Sequence, residues 1–217
     1  AEATVRVLEA AGARVEFPRA QTCCGQPAYT AGEPGAAARL ARHHIDVFAG
    51  YDAVVAPSGS CAAMVRTHYR ELLPDAAPDV DDLAARTFEL TEYLTNVLHV
   101  DDIGVRLDTT VTMHDACHGL RGLRISSEPR RLLERTGATI VEMTESDTCC
   151  GFGGVFSRQY PEVAGKLADV KLDHARATTA EYLVSTDLAC LMHLETRRAR
   201  GPKLVHIADL LASGLNP

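Results

Sequence analysis

The chain has 217 residues, 46% of them hydrophobic, no Trp, and a formal charge of −7 carried by interspersed acids and bases. That length and apolar content support one large domain or two small ones, with a core built mostly of Ala, Val and Leu. With no basic stripe, no zinc-finger spacing and no apolar run near the ~20 residues of a membrane span, the sequence argues against nucleic-acid binding and a transmembrane role, and no signal-peptide pattern is legible.

In chain order, the first half reads as a helix over Ala1–Ala11, a strand over Arg14–Phe17, and the segment "TCCGQPA". A helix over Pro34–Ala49, a strand over Ala53–Ala56, Cys61 and a helix over Ala62–Leu73 follow. The Pro/Asp-rich "PDAAPDVDD" is expected to be a loop, and Glu89–Leu98 a helix. The segment "HVDDIGVRLD" is the expected junction, dividing the chain into 1–103 and 104–217. The second half offers a strand over Thr110–His114 leading to Cys117, a helix over Pro129–Arg135, and a strand over Thr139–Glu142. Then come "TCCGFGG", a helix over Pro161–Thr178, a strand over Tyr182–Ser185, Cys190 and a helix over Ile207–Ser213. Alternating helices and short strands predict an α/β fold with mainly parallel sheets.

The two series repeat. "EAAGARVEFPRAQTCC" parallels "ERTGATIVEMTESDTCC"; Pro34 and Leu40 parallel Pro161 and Leu167. Cys61 lies nine residues after Asp52, and Cys190 nine after Glu181. The chain therefore reads as a duplication of two pseudo-symmetric, Rossmann-like halves. By the same alignment Cys117 calls for a counterpart about eight positions before Ala1, so the first half is expected to have an opening strand and cysteine outside this sequence.

Seven cysteines, an odd number, in a long helix-rich chain fit a reducing cytoplasm better than a secreted disulfide framework. Adjacent cysteines make a strained disulfide and poor core residues, whereas two sulfurs turned to one metal centre explain the pair. Cys117, Cys149, Cys150 and Cys190 are all expected at strand carboxyl ends or the loops beyond them, the edge where open parallel sheets bind ligands. Cys23, Cys24 and Cys61 form the matching set in the first half. Cys61 and Cys190 lie near helix starts, which favour thiolate. The neighbouring glycines would let backbone N–H groups approach a bulky inorganic guest. Converging thiolates suit iron–sulfur clusters or zinc, and an adjacent pair with remote partners favours the cluster over the usual zinc spacing. A single cysteine would read as a buried small hydrophobe; the duplicated pattern argues against that.

Around the site stand His114, His118 and His193. His193 is the best additional ligand, three residues after Cys190 where the first half has Met64, which is either a weak ligand or packing. His114 and His118 are candidates for proton handling. Arg121 and Arg124 are expected to face solvent, able to offset an anionic cluster or meet an anionic partner. Two rival readings are a structural zinc module that scaffolds a complex, and metal-free thiol–disulfide chemistry at Cys149/Cys150. In the first half the thiols would be free, or Cys23 or Cys24 would be bonded to Cys61.

The segments "TCCGQPAY", "SGSCAAMV", "HDACHG" and "CCGFGGVFS" resemble the cysteine-rich CCG-domain proteins over nearly the whole chain. That family includes the B subunit of heterodisulfide reductase and the iron–sulfur subunits of glycolate oxidase and anaerobic glycerol-3-phosphate dehydrogenase; the short duplicated form here resembles its lactate-utilization members most. The resemblance implies cluster ligation by Cys117, Cys149, Cys150 and Cys190, and by Cys23, Cys24 and Cys61 in the first half. Met64 and His193 stand where the heterodisulfide reductase type has cysteine, so a four-cysteine [4Fe–4S] site with His193 nearby is expected rather than a five-cysteine non-cubane one. Zinc in one half is also within the family's range. The implied role is an electron-transfer component of a cytoplasmic complex oxidising L-lactate to pyruvate, beside a ferredoxin-like iron–sulfur protein and a third small subunit.

Overall fold

Proline starts the longest helix of each half. In the computed structural model, which describes residues 1–215, Pro34 and Pro161 open helices of 15 and 17 residues; at that position a missing N–H costs no intrahelical bond. The elements are α1 (Glu2–Ala10), α2 (Gln26–Thr30), α3 (Pro34–Phe48), β1 (Val54–Ala56), α4 (Gly59–Ala63), α5 (Tyr69–Leu72), α6 (Ala77–Ala85), β2 (Thr87–Glu89) and α7 (Leu90–Glu92). They continue with β3 (Thr110–Met113), α8 (Ser127–Thr136), β4 (Thr139–Ile140), α9 (Phe156–Gln159), α10 (Pro161–Ala177), β5 (Tyr182–Ser185), α11 (Leu188–Glu195), β6 (Lys203–His206) and α12 (Ile207–Ser213). Wider π-helical turns at Met64–His68, Tyr93–Val97 and His118–Leu123 extend α4, α7 and the chain after Cys117.

All strand pairs are parallel, in sheets ordered β1-β2 and β4-β3-β5-β6. The α/β class with parallel, Rossmann-like halves is as the sequence predicts. Apolar side chains gather in three clusters. One holds Cys24 with Ala41, Phe48, Met64, Tyr69 and Leu83, and a second holds Cys150 and Cys190 with Ala168, Leu172, Leu183 and Leu191. The third joins residues from both sides of position 104: Val7, Leu8, Leu90 and Leu94 with Val111, Leu132, Leu133, Ile207 and Leu211. Within it α1 packs on α12, and α7 on α8, so the first helix of each half covers the last helix of the other.

Several local expectations change. Arg14–Phe17 forms no strand; its repeat-mate β4 pairs with β3, whereas residues 2–10 are helical and supply no ladder. β4 is shorter than predicted, although the Val141 N–H still donates to Val111 O at 2.8 Å. The "PDAAPDVDD" segment is helical, not a loop: Pro74 and Pro78 each sit in a first helical turn, and Val80 and Leu83 turn into the core. β2 and β6 went unread because each is three or four residues long and runs straight into an apolar helix. Short helices α2 and α9 and the turn after Cys117 were likewise too brief to show periodicity.

Candidate metal centre

Parallel pairing carries the chemistry to one edge. β3 and β5 run in register, and Ser185 Oγ donates to the His114 carbonyl at 3.0 Å, fastening the two strand ends. Beyond β3 the chain passes through His114 to Cys117. Beyond β5, Asp187 caps α11 by accepting from the Ala189 N–H at 3.2 Å, and α11 presents Cys190. The loop after β4 brings Cys149 and Cys150. It is held by the Asp115 N–H on Ser146 O at 3.0 Å, Ser146 Oγ on the Asp115 carboxylate at 2.8 Å, and Lys171 Nζ on Glu145 O at 2.5 Å. Burial pushes the Asp115 carboxyl up, but the Arg130 guanidinium, paired with it at 2.8 and 2.9 Å, and the Ser146 hydroxyl hold it below its usual range.

The glycine that follows each cysteine pair has a steric reason. Gly151 has φ 92°, and a Cβ there would stand 2.3 Å from the Ala164 carbonyl oxygen. Its repeat-mate Gly25 has φ 89°, with the Ala37 carbonyl 3.3 Å from the same point. Only glycine takes this left-handed turn against a helix without strain. The turn aims the Gly151 and Phe152 N–H groups at the sulfurs of Cys149 and Cys150, at 3.3 and 3.4 Å. In the first half the Gln26 N–H meets Cys24 in the same way.

A ring nitrogen of His114 and the sulfurs of Cys150 and Cys190 lie within 4.8 Å of one another, all on buried residues. Cys149 interacts with Cys150 on one side and Cys117 on the other. Donation to Cys149 pushes the Cys117 thiol well up, and donation to Cys149 and Cys190 does the same to Cys150, burial adding to both. The acceptors move the other way: Cys149 is drawn down to about 2 by Cys117 and Cys150, with help from the Gly151 N–H. Cys190 falls to about 7 through Cys150, against its burial. Crowded thiols thus share protons, a state that one cation would relieve by replacing them. His114 is only 1% exposed, and among the described residues neither ring nitrogen has a well-formed hydrogen-bond partner, although the ring helps to lower the Cys190 thiol beside it. Buried polar atoms are rarely left so. Soft sulfur donors and an orphaned imidazole fit a thiophilic metal group.

In the first half, donation to Cys61 raises the buried Cys24 thiol, and Cys61 is lowered by Cys24 and by the Ser58 hydroxyl. The Tyr69 hydroxyl holds the Cys24 carbonyl at 2.7 Å, and Cys23 is exposed. All seven cysteines are free thiols.

The sequence ranked His193 above His114, and the geometry reverses that order. His193 Nε2 stands 3.4 Å from the Ala164 carbonyl, outside the group of three that His114 joins. His118 Nδ1 is 3.7 Å from Cys117 Sγ. Met64 is core packing. Arg121 and Arg124 are exposed, as expected. Asp187, Lys171 and His44 were missed. Lys171 and His44 are both buried and occupy the same place, ten residues after Pro161 and Pro34; a basic residue on the apolar side of both long helices was the available signal.

The sequence matches the family described as the cysteine-rich domain, CCG, over residues 1–66 and 111–195. The chain belongs to the CCG cysteine-rich domain family. One matched stretch of the CCG domain holds Cys23, Cys24 and Cys61, the other Cys117, Cys149, Cys150 and Cys190. Similar proteins include lactate utilization protein A of Geobacillus kaustophilus (strain HTA426), 41% identical over 216 residues, covering 97% of this chain and 90% of that protein. The protein of the same name from Shouchella clausii (strain KSM-K16) is 41% identical over 217 residues, with the same coverage of 97% and 90%. That from Bacillus cytotoxicus is 40% identical over 218 residues, covering 98% and 91%. No helix among the described residues is long and apolar enough to cross a membrane.

Proposed function

We propose that the protein works in lactate utilization, as an iron–sulfur electron-transfer component of a cytoplasmic complex that oxidises L-lactate. Cys117, Cys149, Cys150 and Cys190 hold a [4Fe–4S] cluster in the second half, 104–217, and Cys23, Cys24 and Cys61 contribute to a second thiol centre in the first, 1–103. What supports this reading is a run of thiol contacts, Cys117 to Cys149 to Cys150 to Cys190, drawn from three separate stretches of the chain, with adjacent cysteines both engaged. The names of the relatives support lactate as the substrate of the pathway served. When bound, such a cluster supplies one-electron transfer. The chain's own part is to position the sulfurs, donate the Gly151 and Phe152 N–H groups to them, and keep Cys150 and Cys190 from water. The partners are the other subunits of the complex, including a ferredoxin-like iron–sulfur protein.

One observation favours a second reading: imidazole beside two thiols, as at His114, Cys150 and Cys190, is also a zinc donor set. Anaerobic purification followed by iron, zinc and sulfide assay and electron paramagnetic resonance separates the two. The cluster reading expects brown protein with iron and sulfide, and loss of the second-half signal in Cys150→Ser. Colourless protein with stoichiometric zinc, or an unchanged spectrum in Cys150→Ser, overturns it.

A further inference from the structure

The two lone cysteines, Cys61 and Cys190, sit on the first turns of α4 and α11. Ser58 and Asp187 are repeat-mates, each three residues before its cysteine and each at a helix N-cap. Ser58 does not cap α4 with its own side chain. Asp187 does this from the other half: its Oδ2 accepts from the Ser60 N–H at 3.0 Å and the Ser58 hydroxyl at 3.1 Å, while Oδ1 accepts from the Ala189 N–H of its own helix at 3.2 Å. One carboxylate therefore closes the first turn of both cysteine-bearing helices.

Asp187 is also a buried carboxylate, 3% exposed, whose oxygens, among the described residues, accept from neutral N–H and O–H groups. Its field reaches both centres. Its two oxygens stand at the first turns that carry Cys61 and Cys190. The centres themselves adjoin. A Cβ on Gly59 of α4 would stand 2.9 Å from Gly119 Cα, in the turn after Cys117, and one on Gly154 would stand 3.0 Å from Thr30 Oγ1 of α2. Ordinary helix capping calls for one acceptor per helix end; a buried anion spanning two sulfur sites does more than that.

We propose that Asp187 is a positioning residue shared by the two thiol centres, which fixes Cys61 and Cys190 through one carboxylate and couples the two centres electrostatically. This rests on the presence of a metal centre in each half, as proposed above. A fixed anion between two centres favours the more positive, oxidised state of each, so it holds both reduction potentials down.

Two measurements on the full chain test it. Hydrogen exchange of the metal-free protein reads the capping alone: Asp187→Ala is expected to speed exchange in the first turns of both α4 and α11, by roughly 2–10-fold for one lost hydrogen bond each. Potentiometric titration of the anaerobic protein reads the charge. Asp187→Asn, which keeps an acceptor oxygen but no charge, is expected to move the midpoint potentials of both centres upward with iron content unchanged. Faster exchange confined to α11, or a potential shift confined to the second-half centre, would reduce Asp187 to the cap of its own helix and overturn the proposal. Wild-type protein without iron would sink the iron–sulfur reading and the electrostatic coupling with it, while the exchange result still decides whether the carboxylate is shared.

Discussion

A Cβ at position 151 has nowhere to go: the Ala164 carbonyl would be 2.3 Å away and φ is 92°. The left-handed conformation alone costs a non-glycine residue about 1–3 kcal/mol, and the clash adds to it. Gly151→Ala is therefore expected to lower the urea midpoint and metal content together. Gly25→Ala, whose nearest contact would be 3.3 Å, should cost less. Equal losses at the two positions would mean that the turn, not the helix behind it, demands glycine. The requirement for glycine was legible in the sequence, because the same residue follows both cysteine pairs. The choice among histidines was not. His114 follows β3 directly, and which way it points depends on strand parity and on Ser185 fastening its carbonyl, neither of which a single sequence displays. His193 had the better spacing and the worse direction.

At the level of elements, Glu89 and His206 are matched: each ends a strand and caps the helix that follows, α7 or α12. Burial pushes the Glu89 carboxyl up from 4.5 to about 7, although Thr91 and Glu92 donate to it. Between about pH 4.5 and pH 7 the folded chain keeps a proton that the unfolded chain has released. Stability contributed at this site therefore falls as pH rises through that window, by up to about 3 kcal/mol. Glu89→Gln keeps an acceptor and does not titrate. Its stability relative to wild type should improve by about 1–3 kcal/mol between pH 5 and pH 8; parallel urea curves at the two pH values would contradict the buried, protonated carboxyl. These strand-to-helix junctions were the least legible elements. The helices begun by Pro34 and Pro161, and β5, stand where the sequence put them because long periodicity or a bounded apolar run defined them. β2 and β6 were lost because three or four extended residues beside an apolar helix carry no period of their own. Arg14–Phe17 shows the reverse error: strand-like residues remain unpaired when no neighbour lies beside them.

For the whole molecule, the exchange of helices across the two halves has a consequence for folding. α1 covers α12 and α8 covers α7 within one apolar cluster, so neither 1–103 nor 104–217 can bury that face alone. Expressed separately, each should lack a cooperative thermal transition, while the intact chain shows one; a well-folded isolated half would disprove the interdependence. The packing of α1 on α12 and of α7 on α8 was not legible in the sequence, because contacts between remote helices leave no local pattern. That arrangement sets the cysteine-bearing helices α4 and α11 against a common carboxylate, and so joins the fold to its chemistry. The most direct test of the central claim is metal-edge X-ray absorption on the anaerobically purified protein, with metals quantified on the same sample. Iron with an all-sulfur shell from the protein and sulfide is expected, with iron neighbours at short range and loss of that centre when Cys149 and Cys150 are both replaced by serine. Zinc ringed by sulfur and imidazole nitrogen, or less than one metal ion per chain, would contradict it.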